Sequence, residues 1–340
     1  MALPIVKTAY ECADIGKTVL PYISQLNDLP SRLVATGGDL DSLKDIYVNT
    51  NPLVTAVAFM LFTVPIFIIL SEITRNYSQV DRSWSILPTI YNAHYSAWAH
   101  LAGVETERLN TVLMFSIIWS IRLTFNFFRK GGYSIGSEDY RWAILRTKIT
   151  SPALWLLFNV VFISFAQSVL LLLITTPTYI LLLLSTLPEP LKFNLPDMLF
   201  SRALIVFIFV ELFADQQQWK FQKAKKAYQA NGSIPEEYEK EFTKEDLDRG
   251  FVVVGLWSWS RHPNFLAEQA IWFTLYQWAC YQTDTFFNWT GVGAISYMLL
   301  FQASTWFTEL VSAGKYPEYK EYQARVGKFI PRWSLDPKEQ

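Results

Sequence analysis

Apolar residues along this chain gather in long blocks rather than in the narrow three-and-four stripe of a soluble amphipathic helix. A bilayer core demands roughly 20 mostly apolar residues per helical crossing. That rule selects seven blocks, at residues 52–71, 85–103, 109–128, 152–175, 197–215, 264–281 and 288–311. The second block carries Pro88, Asn92, His94 and His100 and is expected as a broken or re-entrant helix. TYILLLLSTL at 178–187 either extends the fourth block or dips back into lipid. The pattern predicts an all-α fold, a polytopic membrane helical bundle of about seven transmembrane helices. Residues 1–49 form an N-terminal extracytosolic segment and 50–335 the transmembrane domain.

Composition supports that class. Half of the residues (51%) are hydrophobic and 17% are charged, against roughly 25% charged in an average soluble protein. The net charge is −1 and no basic stretch is interleaved with aromatics, so no nucleic-acid partner is expected. Cys12 and Cys280 lie far apart, and His94, His100 and His262 form no H-x-x-x-H pair; neither a disulfide nor a metal site is expected. The first 49 residues lack a basic stretch followed by an apolar core, so a cleaved signal peptide is not expected. ADIGKT (13–18) ends like a phosphate loop, but Glu11 stands where that loop needs its first glycine.

Lysine and arginine should gather on the cytosolic side of correctly drawn spans. Segments 72–84, 129–150, 216–262 and 312–340 hold 21 of them, whereas the alternate segments 1–49, 104–108, 177–196 and 282–287 hold 6. This places the N-terminus outside or in the lumen and the C-terminus in the cytosol. The sequon Asn288-Trp289-Thr290 then faces the lumen so close to the bilayer that glycosylation is disfavoured. In 216–262, KAKKAYQANGSIPEEYEKEFTKEDLDRG reads as a solvated helix and a turn at Asn231-Gly232, with Lys223, Lys225 and Lys226 as an alternative lipid-headgroup patch. Trp257, Trp259, Trp272, Trp278, Trp289 and Trp333 are expected as interfacial anchors, and Trp84 as part of a motif.

Polar side chains inside spans are costly and mark function or pairing. Arg122, Asn126 and Arg129 share one face of the third block; Glu211, Asp215, Gln218 and Gln222 do so around the end of the fifth. The sixth opens with Asn264 and Glu268, and the seventh closes on Glu309 ahead of Lys315 and Tyr316. All fall in the cytosolic half, which points to a polar cavity open to the cytosol. In SRHPNFLAEQ (260–269), Pro263 suits a helix's first turn. Arg261 and His262 remain at the cytosolic surface as a seat for phosphate, and the Asn264 amide can read a carboxamide or a purine edge.

WSRHPNFLAE resembles the C-terminal signature of the steroid 5-alpha-reductase superfamily, in its fungal and bacterial branch of multi-span membrane proteins. VDRSW (80–84), RLTFNFFRKGGYSIGSEDYRW (122–142), ELFADQQQWKFQ (211–222), GLWSWSRHPNFLAEQ (255–269) and TELVSAGKYPEYKEYQARVGKFIPRW (308–333) follow in the expected order. The likeness covers about 80–333 and is strongest over 200–333. It implies a seven-helix bundle enclosing NADPH, a lipid or sterol-like substrate, and hydride transfer to the β-carbon of an enone. By position Asn264 would bind the nicotinamide carboxamide, with Glu268 on the same wall and Asp215 as the cofactor-binding Asp. Arg129, Arg141, Arg261 and Lys315 would contact phosphates, with Tyr316 and Tyr319 lining a closing tail. Glu211 departs from the family, which has Asn there, and the substrate-end Glu and Tyr find no match; Asp81, Tyr91 and His94 stand as candidates for the acid that polarises a carbonyl.

The R-H-P-aromatic motif with a Y-x-x-Y and I-P tail also resembles isoprenylcysteine carboxyl methyltransferases, whose cofactor is S-adenosylmethionine. A third reading is a non-catalytic membrane protein that binds lipid or sterol. The expected compartment is the endoplasmic reticulum, and the sequence fixes no oligomeric state.

Overall fold

A computed structural model describes residues 2–332. Among them there is no strand, only an isolated parallel bridge between Ser260 and Gly327. Four short helices, α1 (Ala9–Cys12), α2 (Ile15–Thr18), α3 (Gln25–Ala35) and α4 (Leu40–Asn49), lead into α5 (Pro52–Thr74). Asn51 caps α5, its Oδ1 accepting from the Leu53 N–H (2.9 Å), and Pro52 fills the first turn where no N–H is needed. After α6 (Gln79–Ser83) come α7 (Leu87–Leu101), α8 (Glu107–Arg129) and α9 (Tyr140–Lys148). Next, α10 (Pro152–Phe158) runs through π-helical turns (Asn159–Ala166) into α11 (Gln167–Leu173), and α12 (Thr176–Leu184) follows. The rest is α13 (Leu195–Asn231), α14 (Lys244–Arg249), α15 (Pro263–Gln282), α16 (Gly291–Lys315) and α17 (Tyr319–Arg325).

Among the described residues three helical stretches are long and apolar enough to cross a membrane: Pro52–Thr74, Glu107–Arg129 and Pro152–Leu184. Their outer faces are apolar, with Phe62, Ile69 and Ile73 exposed on α5 and Met114, Ile121 and Phe128 exposed on α8. Such faces find their match in lipid. The longest helix, α13, carries Arg202, Glu211 and Asp215 within its apolar run.

Two expectations change. The second block is not broken: Pro88 falls in the first turn of α7, where a missing N–H costs nothing, and the helix then runs unbroken for 15 residues. At 1.5 Å per residue that is about 22 Å, short of the roughly 30 Å hydrocarbon core. Its polar groups turn inward, Asn92 being fully buried and accepting from Thr178 Oγ1 (2.8 Å). The second change is α12, every residue of which is buried, packed against α1, α5, α7 and α8. A turn at Ile174 and Thr175, with Pro177 opening the new helix, sends this apolar run into the protein rather than into lipid.

By chain contacts the molecule divides into two units, residues up to 202 with 272–296, and residues 203–271 with 297 onward. In the first, a buried ionic centre joins Arg108 to Asp197 by two hydrogen bonds (3.0 and 2.9 Å), and Trp278 Nε1 adds a third to the same carboxylate (2.7 Å). Trp272 and Trp278 are core residues, Trp272 meeting Trp119 edge-on. Trp257 is buried too, its N–H donating to the Ala214 carbonyl (3.2 Å). Of the expected anchors, Trp259 is exposed; Trp333 lies outside the described residues.

In the second unit α13 ends at Asn231 and Gly232 turns the chain at φ 72°. The segment that follows is more than a solvated arm. Phe242, Leu247 and Val252 bury themselves on Phe221, Ala224 and Trp257, and a reciprocal Thr243–Asp246 cap starts α14.

Candidate functional site

The residues before α15 are pinned by the chain's own tail. Arg261 N–H donates to the Gly327 carbonyl (3.0 Å), His262 N–H to that of Lys328 (3.2 Å), and Ser260 Oγ to Lys328 as well (3.2 Å). Gly327 makes this possible, because a Cβ there would lie 1.9 Å from the Ile330 carbonyl oxygen. Arg261 and His262 are therefore not at a surface: they are 7% and 6% exposed and both point to Glu309. The Glu309 carboxylate accepts from Arg261 Nε (2.7 Å) and Nη2 (3.0 Å), from His262 Nε2 (2.9 Å) and from Gln323 Nε2 (3.0 Å). Arg261 also donates to the carbonyls of Gln323 and Val326. The carboxylate requires a proton on Nε2 of His262. Burial pulls this imidazole's pKa below its usual value, against the opposing pull of Glu309.

Beyond this brace, α15 and α13 present the polar wall expected from their spacing. Asn264 Nδ2 donates to Asp215 Oδ1 (3.2 Å), and Asn264 Oδ1 accepts from the Phe265 N–H (3.0 Å). One turn on, Glu268 Oε1 accepts from Tyr297 Oη (2.7 Å). Asp215, Glu268 and Tyr297 are all buried, and so is Glu211. Two more buried atoms of this unit, Gln218 Oε1 and Thr305 Oγ1, find no hydrogen-bond partner among the described residues. Unpaired polar atoms of this kind are costly and call for a polar occupant.

Tyr316 packs on Phe251, and Lys315 lies over its ring at 5.2 Å. Lys225 is buried, in contrast to the exposed Lys223 and Lys226, and donates to the Gly250 carbonyl (2.9 Å) and to Tyr316 Oη (3.3 Å). A headgroup patch thus loses its middle member. Burial raises the Tyr316 phenol, but Lys225 and Lys315 outweigh it and lower its pKa overall. Tyr319 and Tyr322 close the same aromatic cluster around Phe251.

The first unit holds the other candidates. On α8, Arg122 and Asn126 are buried and Arg129 Nε donates to Asn126 Oδ1 (3.0 Å). Arg141 grips Asp139 with two bonds (2.8 and 2.9 Å), and Asp81 accepts from Trp142 Nε1 (2.8 Å), so the VDRSW and EDYRW motifs interlock. Desolvation pushes the Asp81 carboxyl above its usual range against the pull of Arg141. His94 has both nitrogens engaged, Nδ1 with Tyr47 Oη (2.7 Å) and Nε2 with the Pro52 carbonyl (2.8 Å). Tyr91 is buried, and its hydroxyl has no partner among the described residues. Sequence reasoning missed Tyr297 and the buried role of Lys225, since a tyrosine inside an apolar run and a lysine among lysines look ordinary.

A family model described as a protein of unknown function, DUF1295, matches residues 66–326. The chain belongs to the DUF1295 family. An uncharacterized protein of Schizosaccharomyces pombe, C594.04c, is 37% identical over 331 residues, which is 97% of this chain and 93% of that protein. No solved structure matches significantly. The matched span takes in the interlocked motifs, the α13–α15 wall and the Arg261–Glu309 brace.

Proposed function

We propose that this chain is an integral membrane oxidoreductase of the steroid 5-alpha-reductase type, reducing a C=C bond of an enone-type lipid or sterol with NADPH taken from the cytosol. The observation that carries the reading is the buried wall in which Asp215 holds the Asn264 amide and Tyr297 holds Glu268, one helical turn apart. The residues fit a nucleotide: an amide oriented by a carboxylate can read a carboxamide, and Gln218 and Thr305 supply unpartnered polar atoms. NADPH, when bound, supplies the hydride. Asp215 fixes the plane of the Asn264 amide, and Glu268 with Tyr297 continues the wall. Arg261, His262 and Glu309 act as positioning residues that hold the closing tail, and Lys315 and Tyr316 of the same unit are the phosphate-binding residues. Among the candidate acids, Tyr91 has the hydroxyl with no competing partner, whereas His94 is saturated and Asp81 is held by Trp142.

The reading includes about seven crossings, the short α7 among them, a luminal N-terminus, a cytosolic C-terminus and residence in the endoplasmic reticulum, supported by the 21 to 6 bias of basic residues between alternate segments. The tail stitched onto Arg261-His262-Pro263 favours a second reading, a methyltransferase of the isoprenylcysteine type that uses S-adenosylmethionine. Thermal stabilisation in detergent separates the two, since a ligand that binds only the native state raises its apparent stability. NADPH should raise the melting temperature and S-adenosylmethionine should leave it unchanged; stabilisation by S-adenosylmethionine alone would overturn hydride transfer.

A further inference from the structure

The N-terminal segment roofs the start of the first long apolar helix and leaves a slot beneath it of about 260 Å³. Val19, Ile23 and Leu26 form the roof, and Leu53, Val54 and Val57 of α5 form the floor. The roof is held by polar bonds at the slot's inner end. Tyr179 Oη donates to the Thr18 carbonyl (2.7 Å) and accepts from Asn51 Nδ2 (2.9 Å), while the Asn51 N–H donates to Gln25 Oε1 (2.8 Å). Asn51 Oδ1 is in turn taken by the Leu53 N–H. The one polar residue in the lining therefore has both ends of its amide satisfied.

That accounting decides the occupant. Water in a cavity needs two to four polar partners, and an apolar cavity stays dry, so this slot does not favour water. A ligand recognised by hydrogen bonds would meet only Asn51, which is 1% exposed and already bonded at both ends of its amide. Hydrocarbon fits, and it is at hand: α5 continues from the slot into an outer face of Phe59, Phe62, Ile66 and Ile69, all exposed and apolar. Leu20 and Ile23, more than half exposed, stand at the rim where a chain would enter.

We propose that this slot is a binding site for one acyl chain of a bilayer phospholipid, entering sideways along α5 beneath the N-terminal helices. The proposal rests on α5 crossing the membrane and not on the nucleotide reading, so either can fail alone. The N-terminal segment then acts as a lipid-binding roof.

The test uses the full chain in nanodiscs of phosphatidylcholine doped with a phosphatidylcholine that bears a diazirine midway along one acyl chain. Irradiation should place adducts on residues 19–26 and 53–57 as well as on the lipid-facing Phe62 and Ile69. Val57→Phe, which fills the slot, should abolish the first set and spare the second. Ile23→Trp, at the exposed rim, should do the same if Val57→Phe fails to fold. Adducts on Phe62 and Ile69 with none in the slot, or slot adducts unchanged in both variants, would overturn the proposal. So would competition by a photoactivatable sterol that labels the slot in place of the acyl chain.

Discussion

Glu309 faces two buried cationic or proton-donating groups at once, and the balance around it sets how much the brace contributes. A buried pair is weak evidence of net stabilisation, because desolvating both charges offsets much of their attraction. Removing one partner is different. Glu309→Ala strands the Arg261 guanidinium in a buried site, and a loss of about 3–5 kcal/mol is expected from the cost of an uncompensated buried charge. Denaturant unfolding in detergent would measure it, and Glu309→Gln should lose less. The pH dependence follows from His262. Burial lowers its folded pKa below the ordinary value of roughly 6.5, so its contribution is present above that value and is lost as pH falls towards the folded pKa. Melting temperature should therefore drop on acidification through pH 6, and His262→Gln should flatten the drop. Equal slopes in the two proteins would count against a neutral, buried His262.

At the scale of elements, the tail is the feature with the sharpest steric requirement. Gly327→Ala puts a methyl group on the Ile330 carbonyl, and backbone on both sides leaves no flexible side chain to yield. The segment from Tyr319 onward should peel away from Ser260–His262, read as faster tryptic cleavage at Arg325 and Lys328. Unchanged cleavage would mean that the bridge relaxes at no cost. The wholly buried α12 should behave as core: Leu182→Ala is expected to cost about 2–5 kcal/mol, as for other large-to-small changes in packed interiors. This is also where the sequence was least legible. A run such as TYILLLLSTL is apolar whether lipid or protein surrounds it, so hydropathy could not place α12 inside. Pro88 looked like a break because its position in the helix depends on where the helix starts. The tryptophans misled too, since Trp272 and Trp278 meet protein where a membrane interface was expected. Periodicity fared better where polar groups recur on one face: Arg122 with Asn126, and Asn264 with Glu268, were legible from their spacing as sharing a helix face. Tyr297, which donates to Glu268, and Gln323, which donates to Glu309, were not legible, because a hydrogen bond across elements leaves no trace in local spacing.

For the whole molecule, membership in DUF1295 and, among the described residues, an all-helical architecture with three helices fit to cross a bilayer are established; the chemistry rests on what the α13–α15 wall binds. The most direct measurement is equilibrium titration of the purified protein in nanodiscs with NADPH, followed by nicotinamide fluorescence, for the wild type, Asn264→Ala and Asp215→Asn. The account predicts saturable binding at one site per chain, weakened at least tenfold by Asn264→Ala, the scale of about 1.4 kcal/mol, and weakened also by Asp215→Asn. Absence of saturable binding in a folded wild type, or equal affinity in all three proteins, would contradict it.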